Sequence, residues 1–316
     1  MRFVDRARLP VAPPPSQPGQ NHPTMRIGLA LPAMLDGLDR GGILDWARRI
    51  EADGYSTVGF GERIAYRNLE MFSVLSAAAA VTERVEIAAS VVVLPMHSEV
   101  WVAKQMATLD VLSGGRAVLG VGVGGRTEDY EALDAPSAQR WDRLDAQVRR
   151  IRGVWDGQPA VDGQAPVGPP PLRRIPIMSA GVGPRSLARS ARWADGINGF
   201  ELDPSPLALA SAAQRTRDAW ARAERPHPPV VMTSWWFALG PDPLPQLRGY
   251  ARHYLGVFGE KLAGALAASC TAAGPASVRA AVEAAAAAGY DEIQLVPTVT
   301  DLTQLDELTA LLSDLL

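Results

Sequence analysis

Acid–base chemistry near neutral pH falls first to histidine, and this 316-residue chain has four. His22 sits in a proline-rich opening stretch and His227 between prolines in ERPHPPV. His253 belongs to QLRGYARHYLGVF, where Leu247, Tyr250, Tyr254 and Phe258 fall on one helical stripe, read as core or subunit contact. His97 closes the run IAASVVVLPMH and is the histidine placed for catalysis, against the plainer reading of a surface or helix-capping residue. A second apolar run leads into GFGERIAYRN. There Glu62 can meet a substrate or cofactor, whereas Arg63 offers a fixed charge that releases no proton near neutral pH. An ordinary surface ion pair is the alternative for both.

Backbone chemistry is suggested by VLGVGVGGRTEDY, in which Gly120, Gly122 and Gly125 satisfy G-x-G-x-x-G, the spacing of a dinucleotide cradle. That cradle requires its third glycine inside a helix. Here Gly120, Gly122 and Gly124 alternate with valines, so they share one face of a strand and present bare backbone. Either something bulky and flat approaches that face, or the strand packs tightly without a ligand. Arg126, Asp129 and Tyr130 follow at once, placed for a cofactor's polar edge or for a solvated helix start capped by Thr127. In IMSAGVGPRSLARSA, Gly181 and Gly183 precede a helix with Pro184 at its first position. Free N–H groups there, with Arg185 and Ser186 in the first turn, suit a phosphate.

Eight β-rich runs must position these groups: 26–31, 57–60, 85–93, 117–123, 175–180, 196–199, 230–239 and 292–297. They alternate with amphipathic or alanine-rich runs, the order of parallel strands joined by helices. RIEADGYSTVGF, SARWADGINGF and AAAAAGYDEIQLVP repeat one joint, a helix ending in glycine and then a strand, with glycine taking the left-handed helix-end conformation. Strands without alternating polarity are buried on both faces, which predicts a single (β/α)8 barrel over residues 25–316. An open doubly wound sheet is the alternative. Residues 156–174, DGQPAVDGQAPVGPPPLRR, are barred from a regular helix by their prolines. They read as an insertion between helix 4 and strand 5, either an active-site wall or a passive loop. Trp235, Trp236 and Phe237 are core or an apolar pocket wall.

Composition excludes several classes. A net charge of −3 recruits no polyanion, so no nucleic-acid partner is expected. The longest apolar runs are too short to span a bilayer. Cys270 is alone, so neither an internal disulfide nor a Cys/His metal cluster is expected, and a reducing cytoplasm fits. Residues 1–24 lack the apolar core of a secretion signal and read as a disordered extension.

The run VVVLPMHSEVWVAKQMATLDVLSGGRAVLGVGVGGRTEDYEAL resembles the bacterial luciferase-like flavin-dependent oxidoreductases, as do ADGYSTVGFGE, AAAAVTERVEIAASV, IMSAGVGPRSLARSARWADG and AGYDEIQLVP. The resemblance implies a (β/α)8 barrel that holds FMN, or the deazaflavin coenzyme F-420, at the carboxyl ends of its strands. Aligned on Leu94-Pro95, it implies a β-bulge with a non-prolyl cis peptide at Ser90-Val91, beside Ala89, pressing on the cofactor ring. It implies that the loop of Ala180, Gly181, Val182, Gly183, Arg185 and Ser186 holds the cofactor phosphate, and that the strand of Gly122 and Gly124 lies near the ring, with Arg126 and Tyr130 placed just beyond it for the cofactor's polar edge or tail. Many relatives carry an acidic residue and then histidine where this chain has Glu62-Arg63. The implied activity is FMN-dependent monooxygenation of a small organic substrate, with a flavin reductase as supplier of reduced cofactor and a homodimer as the assembly. F-420-dependent hydride transfer, a noncatalytic flavin-binding protein and a nicotinamide dehydrogenase on an open sheet are the alternatives.

Overall fold

The computed structural model describes residues 25–316; the expected extension 1–24 lies outside the described residues. Eight strands pair in parallel and in chain order, and the last returns to the first. They are β1 (Arg26–Ala30), β2 (Thr57–Phe60), β3 (Glu86–Val93), β4 (Ala117–Gly122), β5 (Ile177–Ser179), β6 (Gly196–Phe200), β7 (Val230–Phe237) and β8 (Glu292–Pro297). Closure removes every sheet edge and with it the open-sheet alternative, on which the nicotinamide reading depended.

Alternation along each strand divides the core in two. Leu29, Val58, Ile87, Leu119, Trp235, Phe237 and Ile293 face outward into one continuous cluster. Ala88, Val118, Met178 and Met232 face inward and fill the barrel's middle. The helices that alternate with and surround these strands are α1 (Arg40–Ala52), α2 (Met71–Ala79), α3 (Glu99–Leu112), α5 (Arg140–Trp155), α6 (Pro184–Ser190), α7 (Pro206–Arg222), α10 (Pro275–Ala287) and α11 (Thr303–Leu312), with α4 (Thr127–Ala132), α8 (Pro243–Leu255) and α9 (Glu260–Ala268) carried on the connections at the carboxyl end. The residue capping α4 is Arg126, one position before the expected Thr127.

Two of the three glycine joints behave as their sequence predicts. Gly54 and Gly289 follow α1 and α10 at φ +95° and +74°. Gly196 does not: it opens β6, and a Cβ there would collide with the carbonyl of Val230 and lie 2.7 Å from Met178 Cε. Its role is close approach of neighbouring strands.

The proline segment 156–174 joins α5 to β5 and so enters its strand from the amino end, α5 being the fourth barrel helix once the short α4 is set aside. The expectation of an active-site wall is corrected, because barrel active sites form at the carboxyl ends. Arg150 Nη2 donates to the carbonyls of Pro159 and Ala160, Lys104 Nζ to that of Gly168, and Asp110 accepts from Leu172 N, which tie the segment to α3 and α5. The excursion at the other end is the connection from β7 to α10, which carries α8 and α9 and packs Leu247, Leu255 and Ala263 around Trp236.

Candidate active site

The carboxyl ends of the strands surround a cavity of 440 Å³ with two unlike walls. On one side Ala30 and Gly61, from β1 and the turn after β2, leave the backbone nearly bare; on the other stand Phe200 of β6 and Trp236 of β7. Tyr250 and Tyr254 of α8 and Phe258 just beyond it close the aromatic side. Trp236 meets Phe200 and Tyr254 edge-on, with ring centroids 4.7 and 5.2 Å apart, the arrangement that aromatic quadrupoles favour. Burial pushes the Tyr250 phenol far above its ordinary range, so it stays a neutral hydroxyl. Of the three consecutive aromatics of β7, Trp235 and Phe237 belong to the outer core while Trp236 faces the cavity.

β3 shifts register against β4 between Ala89 and Val92, and the Ser90–Val91 peptide within that bulge is cis. The bulge borders the cavity: a Cβ on Gly61 would stand 3.2 Å from Ser90 O. It also explains the glycines of β4. A Cβ on Gly120 would lie 2.5 Å from Ala89 O and 2.9 Å from Val91 Cγ1, and one on Gly122 would lie 3.3 Å from Val91 Cγ2. Gly124 lies past the strand at φ +61°, with Val93 Cγ1 2.7 Å from where its Cβ would be. The bare face is therefore filled by valines from the bulged strand, a correction to its reading as open room for a ring. Ser90 Oγ is buried without a hydrogen-bond partner.

The charged candidates form two braces beside the cavity. Glu62 Oε2 accepts from Val93 N at 2.8 Å, and its Oε1 is 2.9 Å from His97 Nε2. With its side chain only 6% exposed, Glu62 fastens the end of β3 to the turn after β2. Arg63 Nε pairs with Asp129 Oδ2 at 3.2 Å, both side chains 6% exposed, and Asp129 Oδ1 accepts from Ile64 N and Ala65 N. This is a buried pair, which corrects the alternative of a surface one. It also turns Asp129 away from the cofactor role expected of it. Tyr130 is likewise turned inward, its hydroxyl donating to Val123 O at 2.7 Å.

Of the charged candidates, Arg126 is the one that lines the cavity among the described residues, along with Trp236 of the expected aromatic wall. Its guanidinium lies 4.4 Å from the Tyr254 ring centroid and 5.5 Å from that of Phe258, and its Nε has no hydrogen-bond partner. His97 instead borders a separate open groove with Pro95, Leu133 and Arg143. The loop from Ala180 to Ser186 also stands at the carboxyl ends, between β5 and α6. Gly181 is buried, donating to Ser179 Oγ at 3.2 Å, and a Cβ on it would meet Ser186 Cβ at 2.7 Å; Val182 and Arg185 are exposed, and Gly183 caps α6 ahead of Pro184.

Sequence reasoning missed Met34, Leu202 and Val296 as lining residues, and took Tyr250, Tyr254 and Phe258 for core or subunit contact. The signal for the aromatics was present in their helical spacing. What their face would meet was not.

A family model described as luciferase-like monooxygenase matches residues 25–296. An uncharacterized protein of Mycobacterium tuberculosis (strain ATCC 25618 / H37Rv) is 29% identical over 188 residues, 57% of this chain and 64% of that protein. Pyrimidine monooxygenase RutA of Cronobacter turicensis is 30% identical over 188 residues, 53% of this chain and 48% of RutA. The chain thus spans less than two thirds of the length of both. Among solved structures, an F420-dependent secondary alcohol dehydrogenase in complex with an F420-acetone adduct superposes with a TM-score of 0.77 at 17% identity, covering 93% of this chain and 99% of that one. The FMN-bound oxygenating constituent of 3,6-diketocamphane monooxygenase from Pseudomonas putida superposes with a TM-score of 0.67, also at 17% identity, covering 92% and 97%. At such identities the two structures share the fold with this chain.

Proposed function

The chain belongs to the luciferase-like monooxygenase family of oxidoreductases, and from that premise we propose that it binds FMN noncovalently at the barrel mouth to oxygenate a small, largely apolar organic substrate. The observation that carries this reading is the cavity beside the β3 bulge, small-walled on one side and aromatic on the other. Its volume is of the size that ligand sites use. Two unpartnered polar groups suit a flavin: Arg126 Nε in the cavity wall for an anionic part of the cofactor, and the Ser90 hydroxyl on the bulge behind Gly61 for the ring's polar edge.

Reduced FMN supplies the electrons for activating molecular oxygen, whereas deazaflavin reacts poorly with oxygen and carries hydride. The family's description as monooxygenases therefore favours FMN. The protein's share is binding, orientation and exclusion of water. Phe200, Trp236 and Val296 exclude water from one side of the cavity. Glu62 holds the end of β3 through Val93 N, with His97 against its other oxygen, and Arg63 with Asp129 holds the turn after β2, so that the bulge keeps its place. We assign these four as positioning residues. The loop from Ala180 through Gly183 to Arg185 and Ser186 is the phosphate-holding segment in this reading, and a flavin reductase supplies reduced FMN.

Separate titrations with FMN and with coenzyme F-420, followed by flavin fluorescence and absorbance, test the assignment. FMN is expected to bind, and oxygen uptake is expected only with reduced FMN. Binding of F-420 without FMN would reverse the cofactor and make the reaction hydride transfer; binding of neither would overturn the proposal.

A further inference from the structure

The proline segment 156–174 has no part in the chemistry proposed at the mouth, yet at the opposite end of the barrel it helps to wall a second cleft, of 580 Å³. Arg149, Arg152, Arg173, Arg174, Arg192 and Arg225 line it, and Asp156 is the one acidic residue among the lining. In a chain of net charge −3, six guanidinium groups gathered around one acid form a local reversal of sign.

Nearby carboxylates answer only part of that charge. Asp195 holds Arg152 at 3.1 Å and Arg174 at 2.7 Å, and Glu86 lies 3.6 Å from Arg173 Nη2. Arg225 Nη1 donates to Ala191 O. Arg173 Nε and Nη2 are buried without a hydrogen bond. The exposed side chains of Arg149 and Arg192 enter no ion pair or hydrogen bond among the described residues. A concave wall concentrates the field of such a cluster, and an anion relieves its self-repulsion. Guanidinium forks match phosphate oxygens in pairs. Two indoles, Trp155 and Trp193, also line the cleft. Their N–H groups already donate to Ala103 O and Asp145 Oδ1, so what they offer a ligand is apolar ring surface.

We propose that this cleft binds a nucleoside polyphosphate, with Arg149 and Arg192 among the groups that hold the phosphates and the indoles receiving the base. The site is separate from the barrel mouth and stands or falls independently of the flavin assignment. Isothermal titration with ATP, inorganic tripolyphosphate and adenosine on the full chain tests it. ATP is expected to bind with one-to-one stoichiometry and more tightly than tripolyphosphate, and adenosine to bind far more weakly than ATP. The double substitution Arg149→Ala/Arg192→Ala, which removes two exposed and unpaired side chains, is expected to weaken ATP by about tenfold or more with an unchanged thermal midpoint. Trp193→Leu is expected to weaken ATP while sparing tripolyphosphate. No ATP binding, ATP affinity indifferent to the double substitution, or tripolyphosphate binding as tightly as ATP would overturn the proposal.

Discussion

The two ends of this barrel solve opposite problems with the same eight strands. At the amino end charge meets charge: Arg26 pairs with Glu86 at 3.3 Å and with the fully buried Glu292 at 2.5 Å, and Ser56 and Thr57 donate to Glu292 as well. A little further round, Asp195 ties α5 and the approach to β5 onto β6 through Arg152, Arg174 and the N–H of Ile177. At the carboxyl end the cavity is lined mainly by small, aliphatic and aromatic residues, and polar atoms such as Ser90 Oγ and Arg126 Nε are left without partners. Buried polar groups are ordinarily satisfied within the protein. The contrast teaches that inside the barrel ion pairs and hydrogen bonds close the amino end, with cations that keep unpartnered N–H groups, such as Arg173, lying outside the strands in the arginine cleft, while the carboxyl end keeps unfilled capacity within the barrel itself.

Asp195→Ala should break this contrast most visibly. Burial alone would push this carboxyl up, but the hydrogen bond from Arg174, the charge of Arg152 and the N–H of Ile177 more than offset it and hold its pKa below the ordinary carboxylate range. Removing one partner of a buried pair costs about 3–5 kcal/mol, and denaturant unfolding is expected to show a loss of that order with FMN affinity in the folded protein unchanged. The sign of the pH effect follows from the depressed value. Asp195 contributes fully above the ordinary carboxylate range, and its contribution is lost as pH falls through the lower folded-state value. Acid unfolding curves of the wild type should show that component, and those of Asp195→Ala should lack it.

Trp236→Ala is the converse case, expected to act at the mouth. Truncating a buried tryptophan costs about 3–5 kcal/mol in a closed core, and less here because Trp236 already borders a cavity. A loss of about 2–3 kcal/mol is expected, accompanied by weaker FMN binding in a fluorescence titration. If FMN affinity were unchanged, the aromatic wall would belong to stability alone and the contrast would fail.

How much of this was legible in the residues differs between the two ends. All eight strands could be placed because each is a short apolar run buried on both faces, and the family resemblance, aligned on Leu94-Pro95, placed the bulge at Ser90-Val91. The glycines of β4 were rightly taken to demand close approach, but alternation names only the face. That Val91 and Val93 arrive there from β3 depends on a register shift with no local signature. The pairing of Asp129 was not legible for a similar reason, since its partner Arg63 is 66 residues away. Tyr250, Tyr254 and Phe258 share a helical face, but their period does not say whether that face meets a core, a second subunit or a cavity. The position of segment 156–174 was recoverable, because a connection that enters a parallel strand must lie at its amino end.

Gly120→Ala is expected to have a smaller effect than Trp236→Ala on stability but to test the bulge more directly. Its new methyl would stand 2.5 Å from Ala89 O and 2.9 Å from Val91 Cγ1, neither of them the end of a flexible chain. Overpacking of this kind costs about 1–3 kcal/mol. Displacing Val91 should also lower FMN affinity, read by the same titration. Retained affinity with reduced stability would show that the bulge serves packing only.

Glu62→Gln should have the smallest effect and decides what kind of residue the charged pair contains. The amide oxygen can still accept from Val93 N, so the end of β3 stays fastened, and the loss is one charge opposite His97, worth about 1 kcal/mol in thermal or denaturant unfolding. If Glu62 and His97 position the bulge, the pH–rate profile of oxygen consumption should keep both of its limbs, with any change falling on the flavin or substrate KM. If either transfers a proton in the reaction, removing the carboxylate alters the ionisation of the pair, and one limb of the profile should move or vanish. A moved limb would transfer this pair from the braced surroundings of the cavity to its reacting centre, and the division inside the barrel between a closed amino end and an unfilled carboxyl end would have to be redrawn to place a working acid–base pair outside the apolar mouth.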